Sequence, residues 1–455
     1  MTAPKSLVRY APTRRHRKAT IGISPPMVLV GSFALLIVLG TLALKLPWAT
    51  QHPISWYQSL FTAVSAVTVT GLAVVDTATG FSFFGQIIIA VLIQCGGIGL
   101  MTFALVTAAS LGWRISLRNQ LMAREALNQT NLSHITQTAR AVLLLTLMIE
   151  AMGLLVLWLY WWPDLGWHSA LWHGLFYAVS AFNNAGFALA SDSLSQFVAD
   201  PMINVTITSL FIIGGLGFTV LTELWHYRRG KRLSIYTRLM LYGTLSLNLV
   251  AMITMALLEW NNPGTLGSLP TVGAKLWAAW FQAVTPRTAG FNSVDLSQLS
   301  DASSLFMILL MFIGGGVNST ASGIKLSTFV VLMLATIAFL RRRPAPQISG
   351  RSIGQDTVYK AMAITFLAVI TLFFAVFILS LTEQAPFLDV VFEAVSAMGT
   401  VGVSRGLTGQ LSAAGQMVIM ALMFIGRVGP LTMAYLLTAH KPQHTQYPET
   451  ELQVG

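Results

Sequence analysis

The chain has 455 residues, of which 55% are apolar and only 9% charged. A soluble domain carries roughly a quarter charged residues, so a soluble multidomain enzyme is excluded. The formal charge is +11, from 27 Lys+Arg against 16 Asp+Glu, yet the basic residues sit between long apolar runs. That placement points to a polytopic membrane protein and not to a nucleic-acid partner.

A basic arm at 1–26, with Lys5, Arg9, Arg14, Arg15, Arg17 and Lys18, precedes an apolar run at 27–44. The run is long for a signal-peptide core and no small-x-small cleavage site follows it before Leu46-Pro47-Trp48, so it predicts a first spanning helix. Further spans are predicted at 83–111, 141–160, 201–222, 239–258, 302–340, 361–381 and 413–437, making eight. Between alternate pairs lie half-apolar segments at 54–67, 169–183, 272–286 and 386–398. Each is too short to cross a core that needs about 20 helical residues, which predicts re-entrant half-helices.

Segments 1–26, 111–140, 223–239, 340–360 and 438–455 hold 21 Lys+Arg, whereas 47–82, 161–200, 259–302 and 382–412 hold three. Both termini are therefore expected in the cytoplasm of a cell whose plasma membrane the chain spans. The outer segments also hold ten acids, Asp76, Asp164, Asp192, Asp200, Glu259, Asp295, Asp301, Glu383, Asp389 and Glu393. Such a face predicts either a cation-concentrating vestibule or simply well-solvated loops. Trp158, Trp161, Trp162, Trp167 and Trp172 cluster at an outer boundary, as interfacial anchors do. Cys95, the single cysteine, lies inside an apolar run, so no intramolecular disulfide is possible.

The half-apolar segments are copies of one another. Phe61-Thr-Ala-Val-Ser-Ala-Val-Thr-Val-Thr-Gly71 aligns without gaps with Phe176-Tyr-Ala-Val-Ser-Ala-Phe-Asn-Asn-Ala-Gly186 and Phe392-Glu-Ala-Val-Ser-Ala-Met-Gly-Thr-Val-Gly402. The third copy, Phe281-Gln-Ala-Val-Thr-Pro-Arg-Thr-Ala-Gly290, is one residue shorter. A second glycine motif follows each after 24 to 28 residues: Gly96-Gly97-Ile98-Gly99, Gly214-Gly215-Leu216-Gly217, Gly314-Gly315-Gly316-Val317 and Gly426-Arg427-Val428-Gly429. Two motifs in phase four times define a repeat. The second motifs are expected to be close-packing points of inner helices, with some share of helix flexibility.

The unit is span, half-helix, glycine loop, span, and the fold class is an all-α polytopic membrane protein with four such units around one central pore. Irregular backbone at membrane depth is tolerated only where it is buried in protein or lines a water-filled cavity. Each half-helix directs its partially negative C-terminal end and the carbonyls beyond it at the axis, where they can replace the hydration shell of a monovalent cation. The candidate cation ligands are Val69, Thr70 and Gly71; Asn184, Ala185 and Gly186; Thr288, Ala289 and Gly290; and Thr400, Val401 and Gly402.

The repeats resemble the Trk/Ktr/HKT superfamily of potassium transporters over about residues 27–440. Gln94-Cys-Gly-Gly-Ile-Gly99, Arg287-Thr-Ala-Gly-Phe-Asn292, Gly323-Ile-Lys325 and Ile425-Gly-Arg-Val-Gly-Pro430 are most similar to its bacterial KtrB branch. The resemblance implies K⁺ uptake across the bacterial inner membrane, commonly stimulated by Na⁺, with Gly71, Gly186, Gly290 and Gly402 as selectivity-filter glycines. Glycine at all four places goes with potassium preference in that family. It also implies a homodimer bound on its cytoplasmic side to a KtrA-type ring, so that a nucleotide is held by the partner and not by this chain. K⁺ is cargo, and no covalent cofactor is expected. Basic loops such as Arg228-Arg229-Gly230-Lys231-Arg232 set topology and could dock that ring or anionic lipid.

Symmetry breaks in two places. Residues 302–340 carry Lys325 as their only charge and would make a straight helix about 58 Å long, nearly twice the hydrocarbon thickness. A break is therefore expected at 314–325. Its candidate gate residues are Gly314, Gly315, Gly316, Asn318, Ser319, Thr320, Ser322, Gly323 and Lys325; an inert kink is the competing reading. Arg427 stands where the other repeats have Gly97, Gly215 and Gly315, and reads as a pore-facing cation tethered to that loop. Glu150 has no counterpart in the other repeats and reads as a hydrogen-bonded packing residue.

The expected units are pore repeats at 27–111, 112–222, 223–340 and 341–440, the second including its preceding loop, with a tail at 441–455. An alternating-access symporter driven by Na⁺ or H⁺ is the alternative mechanism, although repeats there are usually twofold. No nucleophile–base constellation suggests an enzyme, and no His-x-x-x-His pair has an acid between its histidines.

Overall fold

The computed structural model describes residues 25–99, 135–227 and 232–437. The basic arm, the expected end of the first inner span with the loop after it, most of the 228–232 basic cluster and the tail lie outside the described residues. Repeat 1 is α1 (Pro25–Leu44), α2 (Trp56–Thr68) and α3 (Phe83–Ile98). Repeat 2 is α4 (Ile135–Phe182), α5 (Pro201–Leu216) and α6 (Phe218–Trp225). Repeat 3 is α7 (Ile235–Glu259), α8 (Val272–Val284), α9 (Asp301–Phe312) and α10 (Leu326–Leu340). Repeat 4 is α11 (Gln355–Thr382), α12 (Phe387–Gly399), α13 (Ala413–Val428) and α14 (Pro430–Leu437). A two-residue hairpin between Gln347–Ile348 and Arg351–Ser352 is the only sheet among the described residues.

The outer helices turn large apolar side chains outwards, among them Leu35, Val38 and Leu42 on α1 and Phe366, Phe373 and Phe377 on α11. Such surface suits lipid and not water. Four described helices are long and apolar enough to cross a membrane: Met27–Leu44, Arg140–Phe182, Ile235–Glu259 and Gln355–Thr382.

The half-helices are instead buried by protein. Ser59, Phe61, Thr62, Ser65 and Thr68 of α2 are all inaccessible, and their hydroxyls are paired: Ser59 donates to the Thr41 carbonyl at 2.7 Å and Thr68 to Val64 at 2.8 Å. α2 starts at a capping box between Ser55 and Gln58, and Val69 in the left-handed region stops it. Its neighbours close a ring, because α3 packs on α4, α5 on α8, α9 on α12 and α13 back on α2.

Two expectations need correction. The inner spans at 83–111, 201–222 and 413–437 are not continuous helices: they stop at Ile98, Leu216 and Val428, where Gly99, Gly217 and Gly429 take φ of 84°, 101° and 95°. A 16-residue helix is about 24 Å long and falls short of a full crossing. In repeat 2 the chain turns by 99° at that break. The span at 141–160 and the half-helix at 169–183 are separate, as expected: within α4 the helix is interrupted at Gly166, φ 74°, beside Pro163. Trp158, Trp162 and Trp167 pack on each other there, with ring centroids 4.4 to 5.5 Å apart. Secondly, Glu259 and Glu393 are not outer surface charges but are fully buried. Glu259 accepts from Ser300 Oγ at 2.7 Å and Thr265 at 2.6 Å, and Glu393 from Ser404 at 2.6 Å, so they pin loops.

Candidate ion pathway

The four triplets meet at the ring's centre. A β-carbon on Gly71 would overlap the Ala185 carbonyl oxygen. On Gly186 it would lie 2.6 Å from the Gly290 Cα, and on Gly290 2.7 Å from the Val401 carbonyl oxygen. On Gly402 it would overlap the Thr70 carbonyl oxygen. Each glycine thus abuts the next repeat's triplet, and the fourth returns to the first.

The backbone alternates in the same way in every copy. Val69, Asn184, Thr288 and Thr400 have φ of 57°, 60°, 70° and 47°, and the glycines two residues on have φ of 94°, 69°, 82° and 93°. Non-glycine residues enter the left-handed region at a cost of roughly 1–2 kcal/mol each, so four in register mark a shape held by its surroundings. The half-helices supply the hold. The middle amide of each triplet donates to a carbonyl in or capping its own half-helix: Thr70 to Ser65, Ala185 to Ser180 and Val401 to Ser396 at 2.8 Å, and Ala289 to Thr285 at 3.0 Å. Gly71 and Gly402 donate to the hydroxyls of Ser65 and Ser396 at 3.0 and 3.2 Å. Ser180 instead donates to the Phe187 carbonyl at 2.8 Å, and Thr285 to Phe291.

With the amides so engaged, no hydrogen bond among the described residues ends on any of the twelve triplet carbonyls. Buried carbonyls left without donors are suited to a dehydrated cation. The Ser/Thr hydroxyl was missed as a working residue, although the repeated Ala-Val-Ser/Thr in the aligned segments carried its signal.

All four glycines floor one cavity of about 440 Å³, which Asp76 and Asp295 also line. These two acids cap short turns, accepting from the amides of Ala78 and Ser297. Asp389 is paired with Arg405 at 2.6 Å. The acidic face therefore contributes two carboxylates, not ten, to this cavity.

Beyond the triplets the third inner helix is broken over 313–325, as its length requires. Gly314 N–H donates to Ile324 at 2.8 Å and Leu326 N–H to Gly315 at 3.1 Å, which folds the loop on itself. Gly316 N–H donates to Gly215 and Phe218 N–H to Asn318, both at 2.8 Å, which docks it on the bend between α5 and α6. Val317 N–H donates to the Tyr236 hydroxyl at 2.8 Å, Ser319 Oγ to Gly316 at 2.7 Å and Lys325 Nζ to the Ala321 carbonyl at 2.7 Å. Gly323 takes φ 67°. Thr320 lies against the triplets: its hydroxyl is 2.9 Å from Asn184 Oδ1, and Asn184 Nδ2 is 3.4 Å from Thr288 Oγ1.

Arg427 reaches this loop. Its Nη1 donates to the Thr320 carbonyl and, at 3.4 Å, to Ser322 Oγ. Its Nη2 donates to the carbonyls of Gly96 and Gly97 at the end of α3, the latter at 3.1 Å. The hydroxyls of Ser319 and Thr320 do not bond to Arg427 but to the Gly316 carbonyl and to Asn184 Oδ1. The second glycine motifs pack as expected, since a β-carbon on Gly96, Gly214 or Gly426 would overlap the carbonyl of Val67, Phe182 or Met398 at the end of a half-helix.

Four half-helices converging on a closed ring of unpaired carbonyls define the class of tetrarepeat pore-loop membrane proteins. The chain matches the TrkH cation transport protein family over residues 7–447, and it belongs to that family. It is 48% identical to the Ktr system potassium uptake protein B of Bacillus subtilis (strain 168) over 96% of this chain and 98% of the relative. It is 43% identical to the protein of the same name from Vibrio alginolyticus, over 98% of both. The fold matches the crystal structure of the potassium transporter TrkH from Vibrio parahaemolyticus with a TM-score of 0.73 at 19% identity, over 94% of this chain and 87% of that one. The chain is an integral membrane protein of the Trk/Ktr superfamily, on its KtrB side.

Proposed function

We propose that this chain takes up K⁺ through a channel-like pore whose selectivity filter is the ring of triplet carbonyls at Gly71, Gly186, Gly290 and Gly402. The observation that carries the reading is the fourfold left-handed alternation, with no described group donating to any triplet carbonyl. The loop at 314–325, held by Arg427, is its intramembrane gate. K⁺ moves down its electrochemical gradient, with Na⁺ as a stimulant and not as cargo.

The test is flux in liposomes holding the purified chain, with K⁺, Na⁺ or Rb⁺, and with or without an imposed proton or sodium gradient. A pore gives K⁺ flux set by the K⁺ gradient and voltage alone. Strict dependence on an imposed H⁺ or Na⁺ gradient would instead establish the symporter.

The chain works as a homodimer in the bacterial inner membrane, both termini cytoplasmic, on a nucleotide-binding ring of KtrA type. Two relatives carry a Ktr system name, which supports a partner subunit. The inner loops between spans run to about 30 residues at most, whereas a domain needs about 50 or more, which supports a nucleotide site on another polypeptide. Purification at native expression should recover a soluble nucleotide-binding protein with the membrane subunit; recovery of this chain alone, fully regulated, would contradict it.

A further inference from the structure

Glu150 sits in mid-membrane on α4, 6% exposed, with no ion-pair partner among the described residues. Gln94 on α3 donates through Nε2 to one carboxylate oxygen at 2.8 Å, and Asn183 through Nδ2 to the other at 2.9 Å. Asn183 Nδ2 also lies 2.7 Å from Gln94 Oε1 and 2.9 Å from the Val179 carbonyl. Asn183 is the residue immediately before the filter triplet Asn184-Ala185-Gly186. The cluster therefore joins repeat 1's inner helix and repeat 2's outer helix to the root of one filter strand.

We propose that Gln94, Glu150 and Asn183 form a brace that fixes the repeat 2 filter strand and so sets ion discrimination, acting through hydrogen bonds and not through the charge of the carboxylate. The hydrogen count favours this. Asn183 Nδ2 has two hydrogens but three acceptors in reach, while its own buried Oδ1 accepts from no described group. A site with surplus acceptors gains from an added donor and has no use for a further negative charge. Asn183 is also wedged, since a β-carbon on Gly97 would overlap its Oδ1.

Repeat 3 shows the same device built from other residues. Arg287, immediately before Thr288-Ala289-Gly290, donates to Asn248 Oδ1 on its own outer helix α7 at 3.1 Å. In repeat 1 the matching Thr68 is satisfied within its own loop, 2.7 Å from Thr70 Oγ1, and in repeat 4 the position is Gly399. The two braced repeats are also those whose filter roots touch the gate loop, through Asn184 with Thr320 and Arg287 with the Gly314 carbonyl. Glu150 is thus a positioning residue, acting on ions through the carbonyls that Asn183 holds in place.

The inference rests on the filter reading, so Glu150→Gln, Glu150→Ala and Asn183→Leu are compared with Gly186→Ser for K⁺ against Na⁺ preference in liposomes. Expected is a Glu150→Gln protein within about twofold of the parent, and a loss of about fivefold to tenfold in preference for Glu150→Ala and Asn183→Leu, the scale of one or two lost hydrogen bonds. If Glu150→Ala yields no folded protein, Gln94→Leu supplies the same readout. A Glu150→Gln protein as impaired as Glu150→Ala would overturn action through hydrogen bonds. Unchanged preference in Glu150→Ala beside a loss in Gly186→Ser would overturn the brace and leave the filter standing; unchanged preference in both would overturn the filter itself.

Discussion

Replacing any one of Gly71, Gly186, Gly290 and Gly402 by Ser or Asp should lower K⁺ over Na⁺ discrimination in uptake by about tenfold or more while folded protein remains in the membrane. Two costs act together. The side chain is forced into a left-handed backbone at roughly 1–2 kcal/mol, and its β-carbon strikes the neighbouring strand's carbonyl or Cα. The strand relieves the clash by moving, and the moved atoms are the ones that must match a dehydrated ion; about 1.4 kcal/mol of mismatch is already tenfold. Because the contacts run from each repeat to the next, all four substitutions should act alike. A transporter with one eccentric site would respond at one or two positions only, and unchanged ion preference in all four variants would falsify the filter. Competition of Na⁺ or Rb⁺ with K⁺ for uptake reads the outcome.

The half-helices were legible because their motif is spelled out four times, and all four lie within a few residues of their expected ends. The breaks at Gly99, Gly217 and Gly429 were not, because apolar sequence runs on past them and hydropathy cannot see a bend. The signal was the second glycine of each Gly-x-Gly, or of Arg427-Val428-Gly429, which takes the positive φ. Repeat 3 has Val317 at that place, and its break is a whole loop. Counting outer acids also misled, since the partners that make Glu259 and Glu393 structural, Ser300 and Ser404, lie 41 and 11 residues along the chain. Charge counts register position in sequence and not hydrogen bonds. Arg427 was legible as a symmetry violation, and so was its loop partner, but not its hold on Gly96 and Gly97. Those partners are backbone carbonyls more than 300 residues away, and any helix end could supply them.

Arg427→Ala should raise K⁺ flux by about tenfold to twentyfold and weaken its dependence on a regulatory partner. An arginine about 10 Å from a passing K⁺ at an effective dielectric near 20 opposes it by roughly 1.7 kcal/mol, which is that factor in rate. Removing the guanidinium also frees the Thr320 carbonyl and so releases the loop from repeat 4. Deleting residues 316–322 should raise flux to a similar extent, and the double change should add little, because both open one gate. Arg427→Lys separates the two contributions. A lysine keeps the charge but lacks the fork that spans the loop on one side and the end of α3 on the other, so its flux should rise by less than that of the alanine variant. Additive effects in the double variant, or lower flux in a well-folded Arg427→Ala protein, would show that loop and arginine are separate structural features and that closure lies elsewhere on the axis.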